Sequence, residues 1–356
     1  MSPPRMIFRT TAMRALRWKR GGTLVAVAVA FLAVPPLAHV PARLVTACAK
    51  WIALAAALEL LSMLGFVLVF ALIFGARLRP RERLGAGFRA LGAITVLPAG
   101  GLVGPAVAAR AAAAEATPLP VLTRSTVALT ILTNAPGLLI LGGLGIALWL
   151  GWPPGPHNAL LTLPEAGVAL ALVASVWMIA RASPSRRAQP RFERGRRLIT
   201  AAAHCHAGAS EARRLVSEGN WKLAGALGYY AFDNAVLWAA FHAYGRTPAI
   251  SVIVMGYLVG SLGTVLPLPA GIGGVEGGLI GALVLYGAPA VPASGAVLLY
   301  RGISLSLPVA LGGLAWGLIP AHRLRSPRRR PLRAGLIRPR ASEPASAPSN
   351  DLCEST

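Results

Sequence analysis

Apolar residues in this chain come in long blocks, separated by short polar or basic segments. A helix that crosses the hydrocarbon of a bilayer needs about 20 consecutive, largely apolar residues. Residues 51–76 contain one charged residue, Glu59, and residues 125–150 contain none. Further stretches of this kind lie at 23–40, 164–180, 223–244, 249–275, 277–300 and 302–321. The pattern predicts an all-α fold, a polytopic membrane helix bundle with about 7–9 membrane helices.

The composition changes the picture mainly through its charge. Of 356 residues, 55% are hydrophobic and 13% are charged, with 35 Lys and Arg against 12 Asp and Glu. A net charge of +23 could indicate a nucleic-acid partner. However, the basic residues lie beside apolar stretches, at 5–20, 77–89, 181–197 and 323–340, whereas 151–163 contains no Lys or Arg. We therefore expect a plasma-membrane protein with cytoplasmic N and C termini, whose basic charge meets anionic lipids rather than nucleic acid.

The longest polar stretch, 182–221, divides the membrane part into two unequal halves. Its later portion predicts an amphipathic helix along the cytoplasmic surface, with a solvated linker helix as the alternative. The apolar face of this helix would contain Leu198, Ile199, Leu215 and Val216. The predicted organisation is a basic N-terminus at 1–22, membrane halves at 23–181 and 222–321, the loop at 182–221, and a disordered cytoplasmic tail at 322–356.

The basic residues before 23–40 are also typical of a signal peptide. That apolar stretch lacks a small-residue cleavage site, so we expect an uncleaved first helix.

Two segments rich in Gly and Pro interrupt the apolar stretches. The tetrapeptide TVLP occurs at 95–98, before "AGGLVG", and again at 264–267, before "LPAGIGGVEGG". Such breaks survive at membrane depth only inside protein or beside a wet cavity. We therefore predict two broken, re-entrant or discontinuous segments and an internal repeat of the kind found in transporters.

The distribution of charge requires 90–110 to enter and leave on one side. Residues 268–287 fit either a full span, or a hairpin if 292–321 crosses twice by breaking near Arg301.

Four ionisable residues lie deep in apolar stretches: Glu59, Asp233, Glu276 and Arg301. Each would cost about 2.5–3.5 kcal/mol if left charged at the bilayer centre, so each is expected to face the bundle interior, paired or neutralised. Glu59 and Asp233 could be purely structural. The neighbours able to hydrogen-bond Asp233 are Tyr229, Tyr230 and Asn234.

Glu276 and Arg301 are the stronger functional candidates. Arginine presents a planar fork of donors that matches a carboxylate or a phosphate, so an ion pair that an anionic head group can open is predicted. A permanent structural salt bridge is the alternative. A helix that restarts after the glycine cluster would also direct N–H groups at such an anion. The candidate substrate-binding residues are Arg301, Glu276, Gly271, Gly273, Gly274, Tyr300, Asp233 and Arg110.

Motifs of enzyme chemistry are missing from the sequence. It contains no nucleophile–base arrangement, phosphate-binding loop or HExxH, and the "HCH" at 204–206 places its histidines on different helix faces. We expect no enzymatic activity, no metal and no cofactor.

The stretches "LPLPAGIGGVEGGLIGALVLYGAP" and "AVLLYRGISLSLPVALGGLAW" resemble the membrane region of lysylphosphatidylglycerol synthases and the stand-alone, flippase-like bacterial proteins built on it. Members typically show Pro-Gly-Gly-x-Gly with a Glu shortly after, and then Leu-Tyr-Arg before the last helix. The matching positions are 269–274, Glu276 and 299–301. The resemblance extends loosely over 45–322. There are two departures, since Ala270 stands where Gly is common and no acid follows the first segment.

The full-length synthases also carry a soluble aminoacyl-transferase domain, which this sequence lacks. The resemblance therefore implies a protein that binds and translocates an anionic phospholipid or a polyprenyl-phosphate-type lipid. A non-catalytic membrane scaffold or regulator of envelope lipid metabolism is the alternative. A third possibility is an intramembrane enzyme with Glu276 or Asp233 as its base.

Overall fold

The computed structural model describes residues 48–78, 80–97, 104–107, 118–182, 193–245, 247–262 and 273–317. This part of the chain confirms the predicted all-α bundle. Its helices are α1 (Ala49–Phe74), α2 (Pro80–Val96), α3 (Leu119–Trp149), α4 (Ala159–Arg181), α5 (Glu193–Ser217), α6 (Ala224–Ala243), α7 (Ile250–Gly260), α8 (Gly274–Leu285) and α9 (Ala290–Gly317). The segments predicted at 1–22, 23–40 and 322–356 lie outside the described residues.

Two sets of apolar helices differ sharply in length. Helices α1, α3, α4 and α9 are long and apolar enough to cross a membrane. Helices α7 and α8 have only 11 and 12 residues. At 1.5 Å per residue each is about 16–18 Å long, roughly half of the hydrocarbon thickness. Neither short helix can therefore cross a bilayer by itself.

Helices α1 and α6 are antiparallel and very close. A Cβ added to Gly65 would lie 2.6 Å from the carbonyl oxygen of Gly225. One turn further along, the Ser62 hydroxyl donates to the carbonyl oxygen of Tyr229 at 3.0 Å. Small residues allow such close packing where lipid removes the hydrophobic drive between helices. This register places Glu59 of α1 opposite Asp233 of α6.

Contacts sort the helix ends into two groups. We call the first group the basic end, because it includes the start of α3 and helix α5, joined by an ion pair between Arg124 and Glu211 (3.3 Å). The second group, the far end, includes the start of α1 and the end of α6, where the Cys48 N–H donates to the Ala243 carbonyl oxygen at 3.3 Å. Each end has its own apolar cluster, built around Phe70 at the basic end and Phe241 at the far end.

Helix α5 is the predicted amphipathic helix, and it packs on α3 at the basic end. Its buried face includes Ala209, Ala212 and Leu215, whereas Val216 is exposed. Leu215 thus packs into the bundle, and the prediction that Val216 faces lipid or protein stays a prediction. Two adjacent residues are turned by about 100° on a helix, so they do not share a narrow apolar face. The side chains of Leu198 and Ile199 lie outside the described part.

Helices α7 and α8 form an antiparallel hairpin, named here the α7–α8 hairpin. Gly260 lies against Gly278, and Gly256 lies against Leu283. Both open ends of the hairpin are at the far end of the bundle, where the Ser251 hydroxyl donates to the carbonyl oxygen of Pro154. The chain therefore enters and leaves the bundle at the same end, as a re-entrant segment requires.

Helix α9 is continuous from Ala290 to Gly317, with Arg301 near its middle. This excludes the alternative in which 292–321 breaks near Arg301, and the boundaries at 277–300 and 302–321 are wrong. The preceding break lies at Gly287, whose φ of 98° is in the left-handed region that favours glycine. The hairpin therefore does not require 292–321 to cross the membrane twice. The stretch 249–275 is not a full span, since it contains only the short α7.

The residues that follow the first glycine-rich segment lie against the end of α2. Residues 104–107 are helical, and a Cβ on Gly104 would lie 2.7 Å from the backbone nitrogen of Ile94 in α2. Helix α2 packs on α9, since a Cβ on Gly92 would lie 3.0 Å from Gly312. Residues 98–103 and 263–272, which contain most of the repeated sequence, lie outside the described part, so the internal repeat stays a prediction.

Candidate functional site

Glu276 and Arg301 meet inside the bundle. Glu276 lies in the first turn of α8, where the positive end of the helix dipole stabilises a carboxylate. Arg301 projects from the middle of α9, and its Nε donates to Glu276 Oε1 at 2.8 Å. Both side chains are mostly enclosed, with exposed fractions of 14% for Glu276 and 13% for Arg301.

The second oxygen of Glu276 binds the start of its own helix. The backbone N–H of Gly273 donates to Glu276 Oε2 at 2.6 Å. Gly273 has a φ of 84°, a conformation that side-chain-bearing residues rarely adopt. The carboxylate is thus held by a helix N-terminus and by a guanidinium group, two groups that also bind phosphate. Gly274 opens the helix, and Gly271 lies outside the described residues.

A second polar group surrounds Asp233 of α6. Its Oδ2 accepts hydrogen bonds from the hydroxyls of Tyr257 in α7 and of Tyr300 in α9, the latter at 3.1 Å. Asp233 is 7% exposed. Tyr300 directly precedes Arg301 along α9. One turn of α9 therefore provides both the hydroxyl that binds Asp233 and the guanidinium that binds Glu276.

The partners predicted for Asp233 on its own helix are wrong. The Tyr230 hydroxyl donates to Asn134 Oδ1 at 3.2 Å, and the Asn234 amide donates to the Tyr230 carbonyl oxygen at 3.1 Å. The Tyr229 ring packs on Phe66 of α1. Tyr229 and Tyr230 lie four and three residues before Asp233, on the same side of α6. The hydrogen bonds to its carboxylate nevertheless come from tyrosines of neighbouring helices.

Glu59 completes the cluster from α1. It is 5% exposed, and the register of α1 and α6 places its carboxyl group beside that of Asp233. Its Oε2 is buried and has no hydrogen-bond partner among the described residues. The charge of Arg301 also acts on Asp233. Arg301 therefore connects the Glu276 group with the carboxyl pair.

We call this set the polar centre. It lies between the apolar clusters of the two ends and takes its side chains from five helices: Glu59, Asp233, Tyr257, Glu276, Tyr300 and Arg301. Within it, three carboxyl groups face one guanidinium group. Such an arrangement can hold anions and protons, and intramembrane ionisable residues of this kind generally mark substrate or ion pathways.

Space is open beside the ion pair. A Cβ added to Gly277, next to Glu276, or to Gly302, next to Arg301, meets no described atom within 4 Å. By contrast, a Cβ on Gly278 would lie 2.6 Å from the Gly260 carbonyl oxygen. One face of α8 is thus packed against α7, while the other leaves the pair approachable.

An apolar cavity of about 680 Å³ lies at the far end, between α3 and the start of α7. Its lining includes Ile140, Leu144, Trp152 and Val254. The cavity borders the outer part of the α7–α8 hairpin and is suited to hydrocarbon rather than to a charged group.

The remaining residues noted in the sequence do not join the polar centre. Arg110 lies outside the described residues. Arg124 pairs with Glu211 at the basic end. Tyr257 was missed by the sequence interpretation. The sequence could have indicated it, since Tyr257 lies within the apolar stretch 249–275. A buried tyrosine hydroxyl usually finds a hydrogen-bond partner, so a polar partner inside the bundle was to be expected.

A helix bundle with half-length hairpins and a charged interior defines a polytopic membrane protein. The chain matches the family model described as lysylphosphatidylglycerol synthase TM region over residues 21–312. Comparison with curated proteins gives no match. Because the match covers most of the chain, including the whole polar centre, the protein belongs to this family, which confirms the resemblance.

Proposed function

We propose that the protein binds an anionic lipid head group at the Glu276–Arg301 pair and translocates it across the bilayer. The observation that carries this proposal is the position of the Glu276 carboxylate, held by the Gly273 N–H and by Arg301 Nε. A head-group phosphate offers these donors the same acceptor chemistry. The carboxylate therefore acts as an internal competitor that a lipid phosphate displaces and that returns when the lipid leaves.

The depth of the pair supports translocation rather than surface binding. The α7–α8 hairpin enters from the far end, and α2 with its return at 104–107 enters from the basic end. Both stop partway through the bundle, so the polar centre lies where a crossing head group meets its highest barrier. Fixed donors at this point replace the water that a phosphate loses on entering hydrocarbon.

The lipid tails need no polar path. They can remain in hydrocarbon along the open face of α8 beside Gly277, while the head group passes the polar centre. The apolar cavity at the far end provides a surface for an acyl chain near the hairpin. The proposed cargo is thus an anionic phospholipid or a polyprenyl-phosphate-type lipid, and the activity is transport, with no chemical conversion.

The proposed location is the plasma membrane, and the proposed orientation places the basic end in the cytoplasm. Arg83, Arg124 and Arg181 all lie at this end, whereas the loop at 151–158 contains no Lys or Arg. Cytoplasmic loops of membrane proteins carry such an excess of basic residues. Both termini are cytoplasmic in this arrangement.

The proposal is tested by measuring lipid movement in proteoliposomes that contain fluorescently labelled phosphatidylglycerol, using a membrane-impermeant quencher. We expect Arg301→Ala to abolish protein-dependent movement, because the head group loses its charged donor. Arg124→Ala is the matched control, since its side chain is 42% exposed and pairs at the bundle end. It should retain movement close to that of the wild type.

Removing Arg301 also leaves a mostly enclosed carboxylate unpaired, which can destabilise the fold. The variant Arg301→Ala/Glu276→Gln removes that carboxylate charge, and its melting temperature shows whether the bundle is intact. A folded double variant that moves lipid at the wild-type rate would contradict the proposal. It would favour the alternative, a membrane scaffold in which the pair only fixes helix packing.

A further inference from the structure

Two buried carboxyl groups face each other across the α1–α6 contact. Glu59 and Asp233 lie one turn from the Ser62–Tyr229 hydrogen bond, and the close approach of Gly65 to Gly225 fixes the spacing of the two helices. The backbones of α1 and α6 therefore hold Glu59 and Asp233 at facing positions.

The chemistry of this contact requires a proton. Two carboxylates have no hydrogen between them to share, and their charges repel strongly in a medium of low dielectric constant. A hydrogen bond between the carboxyl groups of Glu59 and Asp233 therefore forms only when one of them is protonated. Glu59 Oε2, which has no hydrogen-bond partner in the described part of the chain, adds an acceptor site beside this proton.

The surroundings distinguish the two acids. Hydroxyls from α7 and α9 donate to Asp233 Oδ2, and the charge of Arg301 acts on the same residue. Tyr229 and Tyr230 face the pair from α6. On α3, the uncharged Asn134 accepts a hydrogen bond from the Tyr230 hydroxyl. Asp233 is thus the better stabilised anion, and Glu59 is the better carrier of the proton.

We propose that the Glu59–Asp233 pair is a proton-binding site that couples proton movement to movement of the lipid head group. This rests on the proposed function. The step is a simple protonation, in which an O–H bond forms on the pair when the proton enters and breaks when it leaves. Proton binding lowers the negative charge beside Arg301, which then turns more readily from its carboxylate partners to a phosphate. By linkage, protonation raises the affinity for the head group, and head-group binding raises the proton affinity of the pair by the same factor.

The charges predict the stoichiometry. One proton and one singly charged phosphate lipid together carry no net charge, so their joint passage needs no work against the membrane potential. A pH gradient should therefore drive the lipid, whereas a potential alone should not. If one proton enters with each lipid, the apparent lipid affinity changes about tenfold per pH unit in the range where the pair titrates.

A first experiment tests the proton site without any lipid movement. Infrared spectroscopy of the purified wild type should show the band of a protonated carboxyl group. Glu59→Gln should remove it, because Asp233 then stays ionised against its tyrosines and Arg301. Glu165→Gln is the matched control, since Glu165 is a carboxyl in α4 that binds Tyr286 outside the polar centre. A wild-type spectrum with no band that depends on Glu59 would overturn the proposal.

A second experiment tests the coupling in sodium-free proteoliposomes with labelled phosphatidylglycerol. We expect a pH gradient to drive lipid accumulation in the wild type and in Glu165→Gln, and to have no effect in Glu59→Gln. Movement by the wild type that ignores pH, or that follows a sodium gradient instead, would defeat the coupling and leave the proposed function standing. Absence of lipid movement under every gradient would defeat the proposed function itself.

Discussion

Among single residues, Arg301 is the one whose guanidinium group interacts with acids on two different helices. It binds Glu276 of α8 directly and also stabilises Asp233 of α6 through its charge. A planar guanidinium offers five N–H donors in fixed directions, whereas an ammonium group is a compact point charge with three. The geometry of the donor, and not its charge alone, is therefore expected to matter.

This expectation gives a prediction for Arg301→Lys. The lysine keeps the positive charge and should keep the fold, but it cannot hold a carboxylate and receive a phosphate through one rigid fork. We expect lipid movement to persist with an apparent affinity weaker by about tenfold, the equivalent of about 1.4 kcal/mol. The dependence of the initial rate on the lipid fraction measures this. An unchanged affinity would show that only the charge of Arg301 is used.

At the scale of elements, the α7–α8 hairpin has one packed face and one open face. Two consecutive glycines distinguish the faces. A Cβ added to Gly278 would collide with Gly260, whereas a Cβ added to Gly277 meets no described atom within 4 Å. We expect Gly278→Ala to destabilise the protein by about 1–3 kcal/mol, because the added methyl group has to push α7 and α8 apart.

Gly277→Ala is the matched substitution on the open face, and we expect it to change stability by no more than about 0.5 kcal/mol. Gly277→Leu should fill the space beside Glu276 and slow lipid movement while the melting temperature stays near that of the wild type. Melting curves and transport rates of the three variants check this. Equal destabilisation by Gly277→Ala and Gly278→Ala would contradict the arrangement of the hairpin.

The sequence predicted much of the helix content, but it did not predict where the last helices begin and end. The polar segments between apolar stretches defined α1 and α6 to within two residues, but the starts of α3 and α4 lie six and five residues earlier than predicted. In contrast, 249–321 consists of apolar and small residues with few polar markers, so composition could not separate short half-helices from full spans. The Glu276–Arg301 pair was predictable because isolated charges in hydrocarbon need each other. The partners of Asp233 were not, because they depend on which faces of α7 and α9 turn inward.

For the whole molecule, the two ends of the bundle can be distinguished by the native cysteines. Cys48 is exposed at the far end, and Cys205 is exposed on α5 at the basic end. In single-cysteine variants that also lack Cys353, we expect a membrane-impermeant maleimide to label Cys48 in intact cells. Cys205 should react only after the membrane is permeabilised. The reverse pattern would place the basic end outside and contradict the proposed orientation.

The carboxylate of Glu276 has a kinetic consequence. The two groups that donate to it, the Gly273 N–H and Arg301 Nε, already have an acceptor before any lipid arrives. Lipid binding is therefore an exchange of one anion for another rather than the filling of an empty site. Much of the attraction between Arg301 and a phosphate is cancelled by the loss of the contact with Glu276. Such a site holds its cargo weakly and releases it quickly. A weak, rapidly exchanging site suits a carrier, whose turnover would be limited by any head group that it bound too tightly.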